Sequence, residues 1–238
     1  MLPNDSSRNI YGNISTSRSP STRPKLSGLQ IDADLQAELI NLYFIWQNPW
    51  FPVLDESLFR KDFCKGSGRY ISPLLLYCVL SVGCRFSERP EIRSDPHDPN
   101  TAGNQLLEEA ESLLHYDLLS PSLTTIQAVA IMIYLYVVSV SFCPVARSVA
   151  HALLNMEQSR AADAVAWLHQ GTAHRLALDM GLNIDASSLL GTKDIPLEEV
   201  DLRRQIYWSL YCTDKLHATY SGRVCTMLVS GEHLPNCR

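Results

Sequence analysis

At 238 residues, with 46% apolar residues and a net charge of −5, the chain can build one large or two small domains around a sizeable core. The overall charge gives no argument for direct contact with nucleic acid or an anionic membrane. Its seven cysteines, Cys64, Cys78, Cys84, Cys143, Cys212, Cys225 and Cys237, are odd in number, scattered and mostly inside apolar runs. That pattern reads as free, largely buried thiols in a reducing compartment and argues against a disulfide framework.

Residues 1–30 read as a disordered Ser/Pro/Arg linker without the apolar run of a secretory signal. Helices follow. Asp34–Trp46 places Leu35, Leu39, Leu42, Tyr43 and Trp46 on one expected inner face. Asn48-Pro49-Trp50-Phe51-Pro52 should end it, because each proline favours an extended residue before it. Asp55 is the expected cap of a short helix on which Phe59 and Phe63 stack four apart. Ser72-Pro73 opens an almost wholly apolar helix through Leu74–Cys84, expected to be central and buried.

Glu88–Asn100 holds Pro90, Pro96 and Pro99 and reads as a loop. Thr101–Leu119 resumes helix, with Leu107, Ala110, Leu114 and Leu118 as its inner stripe. Thr124-x-x-Gln127 looks like a capping box for the next helix. Ile126–Cys143 carries no formal charge and touches the lower length limit of a membrane span, but Gln127, Ser139 and Ser141 make a buried helix the better reading. The expected architecture is all-α, a multi-helix bundle with short connections, and no stretch alternates as a strand would.

Two blocks stand out toward the C-terminus. Gly171–Leu182 reads as a helix ending at Gly181, where a left-handed residue is needed, with Leu182 packing back on the last turn. Gly171, Ala173 and Ala177 are expected to let this helix approach a neighbour closely. Glu198–Arg223 opens behind Pro196 with acids at the positive end of the helix dipole and stops at Gly222. Arg203, Arg204 and Asp214 are expected to join a partly buried network, an arginine forking onto Asp179 or Asp214.

Motifs for chemistry are missing. There is no Cys-x-x-Cys, His169 and His174 are five apart, and Gly66-Ser67-Gly68 lacks the context of a phosphate loop or nucleophile elbow. No catalytic, cofactor or metal residue is assigned, and an enzyme is not expected.

The two blocks together resemble the regulatory domain, or middle homology region, of fungal zinc-cluster transcription factors of the xylanolytic activator type. Gly171, Ala173, Arg175, Ala177, Gly181 and Leu182 match its G-x-A-x-R-x-A-x-x-x-G-L helix. Glu199, Arg203, Arg204, Trp208, Asp214 and Lys215 match its later E-x-x-x-R-R-x-x-W helix, and Gly222-Arg223 its closing Gly-Arg, with Val224 in place of proline. Tyr43, Asn48, Phe51, Pro52, Leu54, Asp55 and Phe59 match an upstream aromatic element.

The resemblance implies a nuclear regulator of transcription, with a helical domain over 31–228 and structural roles for Gly171, Arg175, Gly181, Leu182, Arg203, Arg204, Trp208, Asp214, Gly222 and Arg223. Family members hold zinc and contact DNA through an N-terminal six-cysteine cluster. That cluster is absent here, since the first cysteine, Cys64, already lies inside the helical domain. The chain by itself is therefore expected to bind neither DNA specifically nor zinc. The partners implied are transcriptional co-regulators or an effector ligand, with DNA reached only through the missing module and no membrane. Residues 137–159 match nothing in the pattern and read as an insertion, and the C-terminus reads as truncated. The alternative is a helical small-molecule-binding or protein-interaction scaffold without DNA binding.

Overall fold

The computed structural model describes residues 31–141, 149–185 and 195–227; along 138–141 and 149–160 and at 220 it describes the backbone alone. The linker expected at 1–30 and the tail from 228 lie outside the described residues, as do 142–148 within the expected insertion. Among the described residues there are seven α-helices and no strand; Arg93 and Ala102 form one isolated bridge. The protein is all-α.

Helix α1 (Ala33–Leu42) starts where the Asp32 carboxylate accepts the Leu35 N–H at 2.8 Å. It does not continue as α-helix to Trp46. Residues Tyr43–Gln47 form a π-turn, with Asn48 N–H donating to the Tyr43 carbonyl five residues back. The extra residue rotates the helix surface, so Gln47 turns inward and Trp46, expected on the inner face, is 55% exposed. Asn48 is itself helical, φ −59° and ψ −33°, although Pro49 follows. The disfavoured conformation is held by that backbone bond and by the Asn48 amide, which donates to the Leu54 carbonyl at 3.1 Å.

Helix α2 (Glu56–Lys65) is capped by Asp55, which accepts from Leu58 N at 2.9 Å, and Phe59 stacks on Phe63 with centroids 6.4 Å apart. Helix α3 (Pro73–Arg85) begins at the Ser72 cap and is buried from Leu74 to Cys84 except for Leu76, which is partly buried. It is the central element and packs against α1, α4 and α5. The approach to α1 is close enough that a Cβ on Gly83 would lie 2.3 Å from the Leu39 carbonyl oxygen.

Two 3-10 turns (Pro90–Ile92 and Pro99–Thr101) lead into α4 (Asn104–Asp117), which buries Leu106, Leu107, Ala110 and Leu114. Leu118 falls just past its end and is 39% exposed, so the expected stripe stops a turn early. Helix α5 (Leu123–Ser141) is not capped as expected. Thr125, rather than Gln127, reaches back: its hydroxyl accepts the Ser122 N–H at 3.0 Å. Gln127 is buried and used elsewhere. Helix α6 (Val149–Asp179) packs along α5, and α7 (Leu197–Ser221) packs on α6. Among the described residues no helix is long and apolar enough to cross a membrane.

Candidate functional site

The sequence motifs converge on three adjoining places. The first is the segment after the π-turn, whose backbone is held by side chains from two helices. Gln127 of α5 donates to the Val53 carbonyl at 2.8 Å. On α7, Gln205 donates to Leu54 O at 3.2 Å and Ser209 to Pro52 O at 2.7 Å. Three successive carbonyls, which a turn without ladder partners would leave unpaired, are thus satisfied. Gln205 and Ser209 carried no motif signal, and Gln127 read as part of a capping box; their roles depend on which chain segment folds against them.

The second place is the junction of α6 and α7. Helix α6 ends in a Schellman motif: Gly181 has φ +69°, Leu182 N–H donates to Ala177 O at 2.8 Å and Gly181 N–H to Leu178 O at 3.0 Å. Leu182 is buried, as its place in the motif requires. Arg203 of α7 donates to Met180 O at 2.5 Å and to Glu199 at 3.4 Å, placing a cation on the negative end of α6. Arg204 donates to Asp185 at 2.9 Å and Asp201 at 3.0 Å. Among the described residues no arginine forks onto Asp179 or Asp214.

Asp214 instead gathers the chain that leaves α7. Its carboxylate accepts from Thr226 N and Oγ1, Met227 N, Lys215 Nζ and Gln170 Nε2. Burial alone would push its carboxyl up; the bonds from Met227, Thr226 and Lys215 outweigh that and hold it below the ordinary value. Thr226 spends its one hydroxyl proton on Asp214, so His174 Nδ1, 2.7 Å from Thr226 Oγ1, must carry the hydrogen of that contact. Burial holds the His174 ring below its ordinary pKa against the pull of Asp214, so the 3.9 Å approach of these two is not an ion pair. Beyond Gly222, left-handed at φ +69°, Arg223 donates to Asp163 at 2.7 Å and covers the Trp167 ring at 5.3 Å. His217 bridges the Gln170 and Asp163 side chains. Asp163 and Trp167 lie one turn apart on α6, which is why one arginine reaches both.

Gly171 is not part of a close helix contact. A Cβ there would meet only the flexible end of Arg175, 3.1 Å away, and Arg175 is exposed. The small residues that pack inward are Ala166, Ala173 and Ala177, all fully buried.

The third place is a groove of about 1060 Å³ between the Trp46–Pro52 segment, α5 and α7. Helix α7 lines it with residues three or four apart, from Asp201 through Arg204, Trp208 and Cys212 to Leu216. Trp46 stacks on Phe86 at its edge, centroids 6.4 Å apart.

Among the described residues no three His, Cys, Asp or Glu side chains converge as a metal site requires. Cys78 and Cys84 are buried on α3, where burial pushes the Cys84 thiol up to about 12 and Cys78 further; Cys64 and Cys212 are exposed on other helices. These thiols do not fit a binuclear zinc cluster, whose ligands must be thiolates held close together.

A helical core whose motif residues tie helix ends together defines an all-α module. The chain belongs to the fungal specific transcription factor domain family, whose profile matches residues 40–142 and 149–229. It is similar to the nitrogen assimilation transcription factor nirA of Emericella nidulans, 34% identical over 195 residues, which are 81% of this chain and 19% of the relative. A similar match is the nitrogen assimilation transcription factor nit-4 of Neurospora crassa, 34% identical over 197 residues, covering 78% of this chain and 15% of the relative. An uncharacterized transcriptional regulatory protein of Schizosaccharomyces pombe is 25% identical over 239 residues, 96% of this chain and 57% of the relative. The chain thus spans a fifth or less of the two nitrogen-assimilation factors. No solved structure matches it.

Proposed function

We propose that this chain is the regulatory helical module of a fungal transcription regulator, that it acts in the nucleus, and that DNA and zinc are contacted elsewhere in the regulators it resembles. The observation that carries this reading is the family match across nearly all of the helical core, with Arg203, Arg204 and Arg223 used for internal bonding and so not free to meet phosphate. A DNA-reading surface needs a basic stripe, and these arginines are neutralised by Glu199, Asp201, Asp185 and Asp163. The reading assigns no catalytic role to any residue. Its test is a fusion of the full chain to an unrelated DNA-binding module at a reporter promoter. A several-fold change in reporter output relative to the bare module, with the fusion in the nucleus, is expected; equal output would overturn the proposal.

A further inference from the structure

We infer that the groove between α5, α7 and the Trp46–Pro52 segment binds a neutral, planar aromatic small molecule carrying a carbonyl or ring-nitrogen acceptor. The volume, about 1060 Å³, lies just above the range of roughly 300–1000 Å³ usual for drug-sized ligands. Flat apolar faces are already in place: Trp46 stacks on Phe86 at 21° between planes, and Trp208 faces the groove from α7. Trp46 is 55% exposed, an aromatic surface left in water by the π-turn.

Within this apolar wall lies the amide of Gln47. Gln47 lines the groove, is only 4% exposed, and its side chain makes no hydrogen bond among the described residues. An amide that lines a groove and bonds to no described protein group is placed to donate to an incoming acceptor. A docked amphipathic helix would offer apolar side chains and leave the amide unsatisfied, whereas a small heteroaromatic ring system can reach it.

Charge narrows the class further. The ionised side chains on the groove are Arg204 and Asp201, which pair with each other, and Arg204 also holds Asp185. An anion would have to displace two carboxylates from Arg204, and a cation would find no unpaired acid. The ligand is therefore neutral. The inference deepens the regulatory reading, and rests on it only for the consequence that occupancy would alter regulation.

The test uses the full chain and Nile red, a neutral planar dye with a ring carbonyl, followed by dye emission and tryptophan quenching. Saturable binding at one dye per chain is expected. Cys212→Trp fills the groove from an exposed position and should weaken binding at least tenfold with an unchanged melting midpoint. Gln47→Leu should remove the preference for Nile red over pyrene, a hydrocarbon of similar flatness without an acceptor. Non-saturable binding, equal affinity in Cys212→Trp, or tighter binding of an anionic naphthalene sulfonate than of Nile red would overturn the proposal. So would self-association that Cys212→Trp abolishes without any dye site, which would mark the face as a protein interface. Failure here leaves the reporter result standing, and a silent reporter does not remove a measured dye site.

Discussion

A methyl group on Gly83 would sit 2.3 Å from the Leu39 carbonyl oxygen, a backbone atom that can retreat only by moving α1. Gly83→Ala should therefore destabilise the protein by about 1–3 kcal/mol, the usual cost of overpacking a tight core. Gly171 presents the opposite case, since its added methyl would meet only the mobile end of Arg175. Gly171→Ala should be neutral or stabilising by up to about 1 kcal/mol, because alanine loses less backbone freedom in a helix. Urea denaturation of both variants checks the pair, and a larger loss at 171 than at 83 would contradict the packing described. Nothing in the amino-acid order separates these two helical glycines. Their difference comes from which backbone crosses them.

The α6–α7 junction shows how an element's end is specified. The stop at Gly181 was legible because a left-handed residue after a helix is most easily glycine, and the hydrogen bonds of Leu182 and Gly181 follow from that geometry. Gly181→Ala should cost roughly 1–2 kcal/mol for forcing a side chain into the left-handed region. Arg203→Leu removes the charged donor on Met180 O and should cost about 1.5–3 kcal/mol, read as a lower denaturation midpoint with an unchanged slope. The charges of α7 were expected to form one network. Instead they divide into Arg203 and Arg204 at the end of α6 and Asp214 at the exit of α7, since positions eleven apart on a helix are about three turns removed. The family profile also matches 137–142 and 149–159, so of the expected insertion only residues 143–148 stand outside it.

On the scale of the whole molecule, acid should unfold the protein in two stages. Burial depresses the pKa of His169 and His174, so the unfolded chain binds protons first as pH falls below about 6.5, and stability begins to drop there. Asp62, Asp163 and Asp214 also have depressed values, because hydrogen bonds from neighbouring groups outweigh their burial. Their contribution is fully present above the unfolded carboxylate value, about 3.9, and is lost as pH falls below it toward their folded values. Melting midpoints from pH 8 to 3 should show both stages, and His174→Asn should shrink the first. A profile that rises on acidification would contradict the assignment. The chain alone is also expected to show no sequence-dependent DNA affinity below about 1 μM, against roughly 10⁻⁸–10⁻¹¹ M for specific complexes, and no stoichiometric zinc. Fluorescence anisotropy and elemental analysis measure the two.

Helix positions, the buried course of α3, the Asp55 and Ser72 caps and the glycine stops could all be read in advance. They depend on neighbours within a few residues: an apolar spacing of three and four, an oxygen before a helix, a residue free to turn left-handed. The π-turn at Tyr43–Gln47 could not, because one extra residue in a turn is stabilised by the packing it permits and has no local signature. The partners of Gln127, Gln205 and Asp214 lie 74, 151 and 12 residues away, so only the assembled bundle brings them together. The groove belongs to the same class. Trp46, Gln47 and Trp208 read locally as helix positions, and only where α5, α7 and the turn after α1 meet do they become a surface, because a cavity is what packing leaves unfilled.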